Sequence, residues 1–256
     1  MSRSPSIRTE NLTIRFGGHA AVNNVTCSFH PGELTVIVGP NGAGKTTWFN
    51  LVSGQLKPSA GRIFLGEREI SALSPSQRAR AGIGRAFQLT NLFPKLSVFE
   101  NVRLAVQARA QQGHRIMVRA AGLTEVADKA MHYLTETNMA GVAALPASAL
   151  PHGDQRKLEV AMLLAMEPDI FMFDEPTAGM SVDEAPVILD LIARIKQDSA
   201  RTVLLVEHKM GVVRALADRI VVLHNGELVA DGDPAEVMAL DLVRDIYLGT
   251  GAEAVA

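Results

Sequence analysis

Cysteine is nearly absent: Cys27 is the only one in 256 residues. One thiol allows neither an intrachain disulfide nor a cysteine metal cluster, which suits a reducing compartment. Charge of one sign is lacking as well. Lys and Arg number 25 against 27 Asp and Glu, a formal net charge of −2 with the signs interleaved. That balance leaves no electrostatic footprint for nucleic acid. No apolar run reaches the length of a membrane span, since Glu167 and Pro168 break the longest candidate. Met1-Ser2-Arg3-Ser4-Pro5 lacks the apolar core of a signal peptide. Repeats and low-complexity tracts are missing, and only the residues from Gly251 onward read as frayed. The expectation is a soluble chain that meets a membrane only through a partner. Its 47% apolar residues suffice for a large α/β domain or a core with an inserted lobe.

What the chain does have is Gly39-Pro40-Asn41-Gly42-Ala43-Gly44-Lys45-Thr46, a complete G-x-x-x-x-G-K-[ST] phosphate loop. It follows Leu34-Thr35-Val36-Ile37-Val38, a β-branched run that reads as a buried strand, and it opens a helix from Lys45 to Val52. Gly39, Gly42 and Gly44 let the backbone fold tightly enough for successive N–H groups to point at one anion, and the helix N-terminus adds its partial positive charge. Lys45 is placed for the β- and γ-phosphates of a nucleotide, and the Thr46 hydroxyl for Mg2+.

Around this unit the chain alternates. Ile7 to Phe16 and Val25 to Phe29 read as strands joined through Gly17-Gly18, and with no helix after either they are expected to pair antiparallel. Gly61 to Leu65 and Ile83 to Phe87 are strand-like, with a short helix from Ser74-Pro75 to Arg80 between them. From Gln88 to about Pro151 the pattern turns helical, with apolar spacings of three and four in Val98–Leu104 and Val126–Leu134, as in a lobe inserted into an α/β core. Alternation resumes with strand 169–174, helix 183–197, strand 202–206 and helix 209–216. Asn225-Gly226 then marks a hairpin between Ile220–Leu223 and Leu228–Ala230.

Ile170-Phe171-Met172-Phe173-Asp174-Glu175 is an apolar strand ending in two carboxylates. Beside a phosphate loop they divide the work: Asp174 toward Mg2+ and Glu175 toward the attacking water. Alone, the same letters also read as an acidic helix start at Pro176. His208 ends the strand Thr202–Val206, at the carboxyl end where parallel sheets bind ligands. Gln88 ends the strand before the helical stretch, where its amide is placed to sense metal or water and report to the lobe.

The order and spacing of these four elements resemble the ATP-binding-cassette (ABC) ATPases over nearly the whole chain. The resemblance implies an α/β fold with a phosphate-loop NTPase (RecA-like) core, an N-terminal antiparallel β subdomain and an inserted α-helical lobe. It sets the ATPase domain at 1–235, the lobe at about 89–153 and a helical extension at 236–256. By resemblance the loop is Walker A, so Pro40, Asn41, Gly42, Ala43, Gly44, Lys45, Thr46 and Thr47 contact ATP. Gln88 is the Q-loop, Asp174-Glu175 ends Walker B, His208 is the switch histidine and Phe16 stacks on adenine. Glu175, His208, Lys45 and Gln88 carry hydrolysis, with Mg2+ held by Thr46, Gln88 and Asp174.

The resemblance also places the signature segment at Leu150-Pro151-His152-Gly153-Asp154-Gln155, where one cassette caps the γ-phosphate bound to its partner in a head-to-tail dimer. Pro151 stands in the serine position, His152 in that of the first glycine and Asp154 in that of the glutamine. By resemblance Pro151, Gly153 and Asp154 face the partner's nucleotide. Gly153 keeps its N–H for the phosphate, but proline offers neither hydroxyl nor N–H. Assembly is therefore expected to survive, with stabilisation across the dimer weaker by about 1–3 kcal/mol. The His-Gly-Asp-Gln signature, Gly179-Met180, Phe16-Gly17-Gly18 and the tail Ile246-Tyr247-Leu248-Gly249 resemble importers of branched-chain amino acids and amides. Implied partners are a second cassette, two permease subunits and, indirectly, a substrate-binding protein, on the cytoplasmic face of a membrane. Rival readings are an exporter or lipopolysaccharide-extraction ATPase, a soluble ATPase of DNA repair or ribosomes, and a regulatory module without turnover. The short lobe opposes the second rival, and intact Glu175 and His208 oppose the third.

Overall fold

A computed structural model describes residues 6–86, 92–109, 120–180 and 184–251. The chain forms two compact units, Met1–Ile83 with Asp169–Glu175 and Ile195–Ala256, and Gly84–Pro168 with Pro176–Arg194.

The first unit contains an antiparallel sheet in the order β2-β1-β4-β5, formed by β1 (Ile7–Phe16), β2 (His19–Phe29), β4 (Ala60–Leu65) and β5 (Arg68–Glu69). The expected antiparallel pair is present, but β2 begins at His19, six residues before the expected start. Asn24 lies at φ 54°, and the register with β1 shifts between Thr9 and Leu12 and again between Leu12 and Ile14. Those irregularities break the period-two alternation that would have marked the strand's first half.

The second sheet runs β10-β9-β3-β8-β7-β6, comprising β3 (Leu34–Val38), β6 (Ile83–Ala86), β7 (Ile170–Asp174), β8 (Thr202–Val206), β9 (Arg219–His224) and β10 (Glu227–Gly232). β9, β3, β8 and β7 are parallel, and β10 returns antiparallel to β9. Every residue of β3, β7 and β8 is buried, the continuous apolar signature of a sheet covered on both faces. Helix α1 (Lys45–Ser53) buries Trp48, Phe49, Leu51 and Val52 in one core with Phe29, Ile37 and Val206. Trp48 sits between Phe29 and Phe49, with ring centroids 5.3 and 5.9 Å away. The short α2 (Pro75–Arg80) starts in a capping box formed by Ser74 and Gln77. α7 (Met210–Leu216), α8 (Pro234–Ala239) and α9 (Asp241–Gly251) complete this unit.

The second unit packs α3 (Val98–Arg109), α4 (Ala120–Glu136) and α5 (His152–Ala165) around a core of Val98, Val102, Val126, Leu134 and Leu158. α6 (Ala185–Gln197) begins in this unit; Asp183, the first residue expected for it, lies outside those described, and Glu184 forms a turn before it. No helix among the described residues is long and apolar enough to cross a membrane.

Candidate functional site

Parallel order brings three strand ends together in the first unit. β3, β8 and β7 lie side by side, so the loop after Val38, the pair Glu207-His208 and the pair Asp174-Glu175 emerge from the same carboxyl edge.

The loop is shaped from behind. Gly39 and Gly44 have φ of 149° and 96°, and a Cβ on either would run into a carbonyl, that of Leu223 or of Ala21. Gly44 is also the N-cap of α1, so that helix starts with no side-chain cap and no acidic residue in its first turn. Its first N–H groups are thereby left to an external anion. Lys45 is 7% exposed, and its Nζ donates to the carbonyls of Gly39 (2.7 Å) and Pro40 (2.9 Å). Burial lowers its pKa, while the carboxylates of Glu175 and Asp174 pull it back up. Thr46 and Thr47 are half-buried in the first turn, Ala43 is buried, and Asn41 and Gly42 are exposed.

Asp174 is 2% exposed at the end of β7. Glu175 follows in the left-handed region at φ 46°, a conformation that costs a non-glycine residue about 1 kcal/mol or more. Its N–H donates to the Val206 carbonyl at 3.0 Å, which holds the strained residue against the end of β8. His208 is half-exposed with Nδ1 3.6 Å from Glu175 Oε1, so the expected water-orienting carboxylate and the expected switch histidine face each other. The Thr46 hydroxyl, in the first turn of α1, and the buried Asp174 carboxylate, at the end of β7, are hard oxygen donors of the kind Mg2+ takes alongside nucleotide phosphates.

Two participants were not picked out by sequence reasoning. Glu207, 1% exposed, accepts the backbone N–H of His208 (2.6 Å) and Lys209 (2.9 Å), and its Oε2 lies 3.7 Å from His208 Nδ1. Its signal was an acid at the end of an apolar strand, the same pattern that marked Asp174. The Asn225-Gly226 turn reads in the sequence only as a hairpin, yet the Gly226 N–H donates to the Ala43 carbonyl inside the phosphate loop at 3.0 Å.

Phe16 ends β1 opposite His19, 52% exposed, an aromatic face open for stacking. Gln88 lies outside the described residues. Pro151, Gly153 and Asp154 belong to the second unit. Pro151 is the N-cap of α5 and gives it no side-chain cap. Gly153 is buried in the first turn, its face against the Glu184 carboxylate, which would have to swing aside for a Cβ. Asp154 pairs with Lys157 at 2.8 Å, and Gln155 Nε2 donates to the Leu150 carbonyl at 2.9 Å.

Known proteins resemble this chain over nearly its whole length. The family described as "ABC transporter" matches residues 22–178. The high-affinity branched-chain amino acid transport ATP-binding protein LivG of Salmonella typhimurium is 37% identical over 250 residues, 96% of this chain and 98% of that one. The lipopolysaccharide export system ATP-binding protein LptB of Escherichia coli is 31% identical, over 95% of this chain and 97% of that protein. The ADP conformation of MJ1267, an ATP-binding cassette of an ABC transporter, superimposes with a TM-score of 0.81 at 27% identity, covering 96% of this chain and 99% of that one. A dimeric post-hydrolysis structure of the cassette MJ0796 bound to ADP and Pi does so with a TM-score of 0.76 at 26% identity, covering 89% and 98%. A loop with a buried lysine and an uncapped helix N-terminus, beside paired carboxylates and a histidine, is thus carried on a chain that belongs to the ABC transporter family, as one of its ATP-hydrolysing cassettes.

Proposed function

We propose that this chain is the ATPase subunit of an importer of branched-chain or related amino acids or amides. The reading rests above all on its 37% identity to LivG across 98% of that protein. The 31% identity to LptB favours lipopolysaccharide export as a second, weaker reading. In this account residues 1–235 form the ATPase domain with a helical lobe at about 89–153, and 236–256 form a helical extension. Two cassettes close head to tail, so that Pro151, Gly153 and Asp154 of one chain face the nucleotide held by the other. Two permease subunits hold the pair at the inner face of the membrane, and a binding protein delivers substrate to them.

Lys45 and the first N–H groups of α1 hold the β- and γ-phosphates, and Phe16 stacks on adenine. Held by Thr46, Asp174 and Gln88, Mg2+ supplies charge neutralisation on the phosphoryl oxygens. Glu175 accepts a hydrogen bond from the attacking water and aims it in line, while His208 beside it contacts the same phosphoryl group. Pro151 brings no donor to the partner's phosphate, which leaves that task to the Gly153 N–H.

Glu175→Gln keeps the shape and removes the base. Hydrolysis is expected to stop while an ATP-bound dimer accumulates on gel filtration; turnover near the parent rate would refute the role of Glu175. Deleting the chain from its cell is expected to abolish uptake of radiolabelled leucine. Undiminished uptake with loss of surface lipopolysaccharide would instead favour the second reading.

A further inference from the structure

We propose that the Asn225-Gly226 turn between β9 and β10 is the back wall of the phosphate cradle and a positioning element for nucleotide binding. Asn225 and Gly226 lie at φ 50° and 80°, as a two-residue type I′ hairpin turn requires. The Gly226 N–H donates to the Ala43 carbonyl at 3.0 Å. In a trans peptide the C=O and the following N–H point opposite ways, so this bond turns the Gly44 N–H away from the hairpin and into the cradle. The Gly226 carbonyl accepts the Asn23 N–H at 2.8 Å, and Asn23 Nδ2 donates to Glu227 Oε1 at 2.7 Å. The turn is thereby bonded to the phosphate loop on one side and to β2 on the other. Contact is close throughout: a Cβ on Gly44 would lie 3.3 Å from the Gly226 Cα, and one on Gly39 would strike the Leu223 carbonyl. The hairpin sets where the loop's donors point, and it ties them to the β1–β2 hairpin that carries Phe16.

Gly226→Ala places a Cβ 2.9 Å from the Ala21 carbonyl oxygen and strains the backbone, so the turn must shift against β2, which is expected to disturb its bond to Ala43. Gly66→Ala is the matched control, with left-handed strain at φ 56° and open space around its Cβ. Calorimetric titration of Mg-ADP into the full chain at low temperature is expected to give about a tenfold weaker Kd for Gly226→Ala and an unchanged Kd for Gly66→Ala, at comparable losses in Tm. Asn23→Ala, which cuts one side-chain tie without backbone strain, is expected to weaken binding about threefold and decides the matter if Gly226→Ala does not fold. Unchanged binding in Gly226→Ala, or in Asn23→Ala when that variant decides, would overturn the proposal, as would equal weakening in Gly66→Ala. The inference rests on the loop's holding a nucleotide; a parent chain that bound no Mg-ADP would refute that reading itself, whereas parent binding with unaffected variants refutes the turn alone.

Discussion

Replacing Arg78 with methionine should destabilise the first unit by about 3–5 kcal/mol, because a buried guanidinium closes the far end of the phosphate-loop helix. Arg78 is 1% exposed. Its Nη1 donates to the Leu51 and Val52 carbonyls at 2.6 and 2.7 Å, Nε to Leu73 at 3.1 Å and Nη2 to Ser71 at 3.0 Å. The first two acceptors belong to the last turn of α1, where a cation is favoured by the helix dipole. Gly54 leaves room for it, since a Cβ there would sit 2.9 Å from Arg78 Nε. Four charge-assisted bonds at about 1.5–2 kcal/mol each come to roughly 6–8 kcal/mol. Against this stands desolvation, which pushes the guanidinium from 12.5 down to about 10 and so costs about 3 kcal/mol, while leaving it charged at neutral pH. Methionine keeps most of the volume, removes the desolvation cost and forfeits all four bonds. The Leu51 carbonyl keeps another donor, the Gly54 N–H at 3.2 Å. Urea unfolding followed by the fluorescence of Trp48, the single tryptophan and itself in α1, reads the relevant unit. A loss below about 1 kcal/mol would refute the reasoning, and Arg78→Lys, with three donors on one point charge, should fall between.

Glu207→Ala removes the acceptor of two N–H groups at the start of α7 and one of two carboxylates beside His208. Its kcat for ATP hydrolysis should fall about tenfold or more with KM within about twofold, and Glu207→Gln, whose amide oxygen still accepts both N–H groups, should recover most of it. A fall in KM and kcat alike, unrelieved by glutamine, would contradict a positioning role. Cys27 is buried, and its thiol is pushed up to about 12 mainly by desolvation, with a Thr9 hydrogen bond opposing. The folded chain therefore keeps its proton while the unfolded chain ionises above pH 9, so stability should fall with rising pH, by up to about 4 kcal/mol on approaching pH 12. Comparing this decline in the parent and in Cys27→Ser, and timing the reaction of Cys27 with a disulfide reagent at pH 8, tests it; reaction faster than unfolding would contradict the burial.

The phosphate loop was legible because strand, turn and helix are contiguous, so Gly39, Gly44 and Lys45 carry their geometry in their spacing. Asp174 and Glu175 were legible as two acids closing an apolar strand. Glu207 closes β8 in the same way, but a single acid beside a histidine has no distinctive pairing, and its bonds to the His208 and Lys209 N–H groups are backbone contacts that letters do not encode. The first half of β2 was hidden by Asn23-Asn24, where polar residues at a bulge look like a loop. The role of Gly226 depends on β9 being the neighbour of β3, and sheet order is set by packing between segments nearly two hundred residues apart. The signature segment is the hardest case: a proline N-cap and a glycine under a glutamate carry no chemistry that composition would flag, and only resemblance marks them.

The loop's preference for an anion follows from which of its polar groups are already engaged. The carbonyls of Gly39 and Pro40 accept Lys45 Nζ, that of Pro40 also accepts the Ala43 N–H, and that of Ala43 accepts Gly226. Acceptors are thus directed backward, into the lysine and the hairpin. Donors face forward: α1 begins at a glycine that cannot cap it, and no acidic side chain stands in its first turn. A ligand meeting this surface finds an ammonium and the first N–H groups of a helix, while the carbonyls of Gly39, Pro40 and Ala43 are already engaged behind them. Lys45 needs only to exchange two carbonyl partners for phosphate oxygens, at little cost in backbone reorganisation, because the peptide planes are already fixed from behind. Sidedness of the peptide groups therefore works with the lysine's charge in suiting this turn to an anion, and it is supported by residues as distant in sequence as Ala21, Leu223 and Gly226.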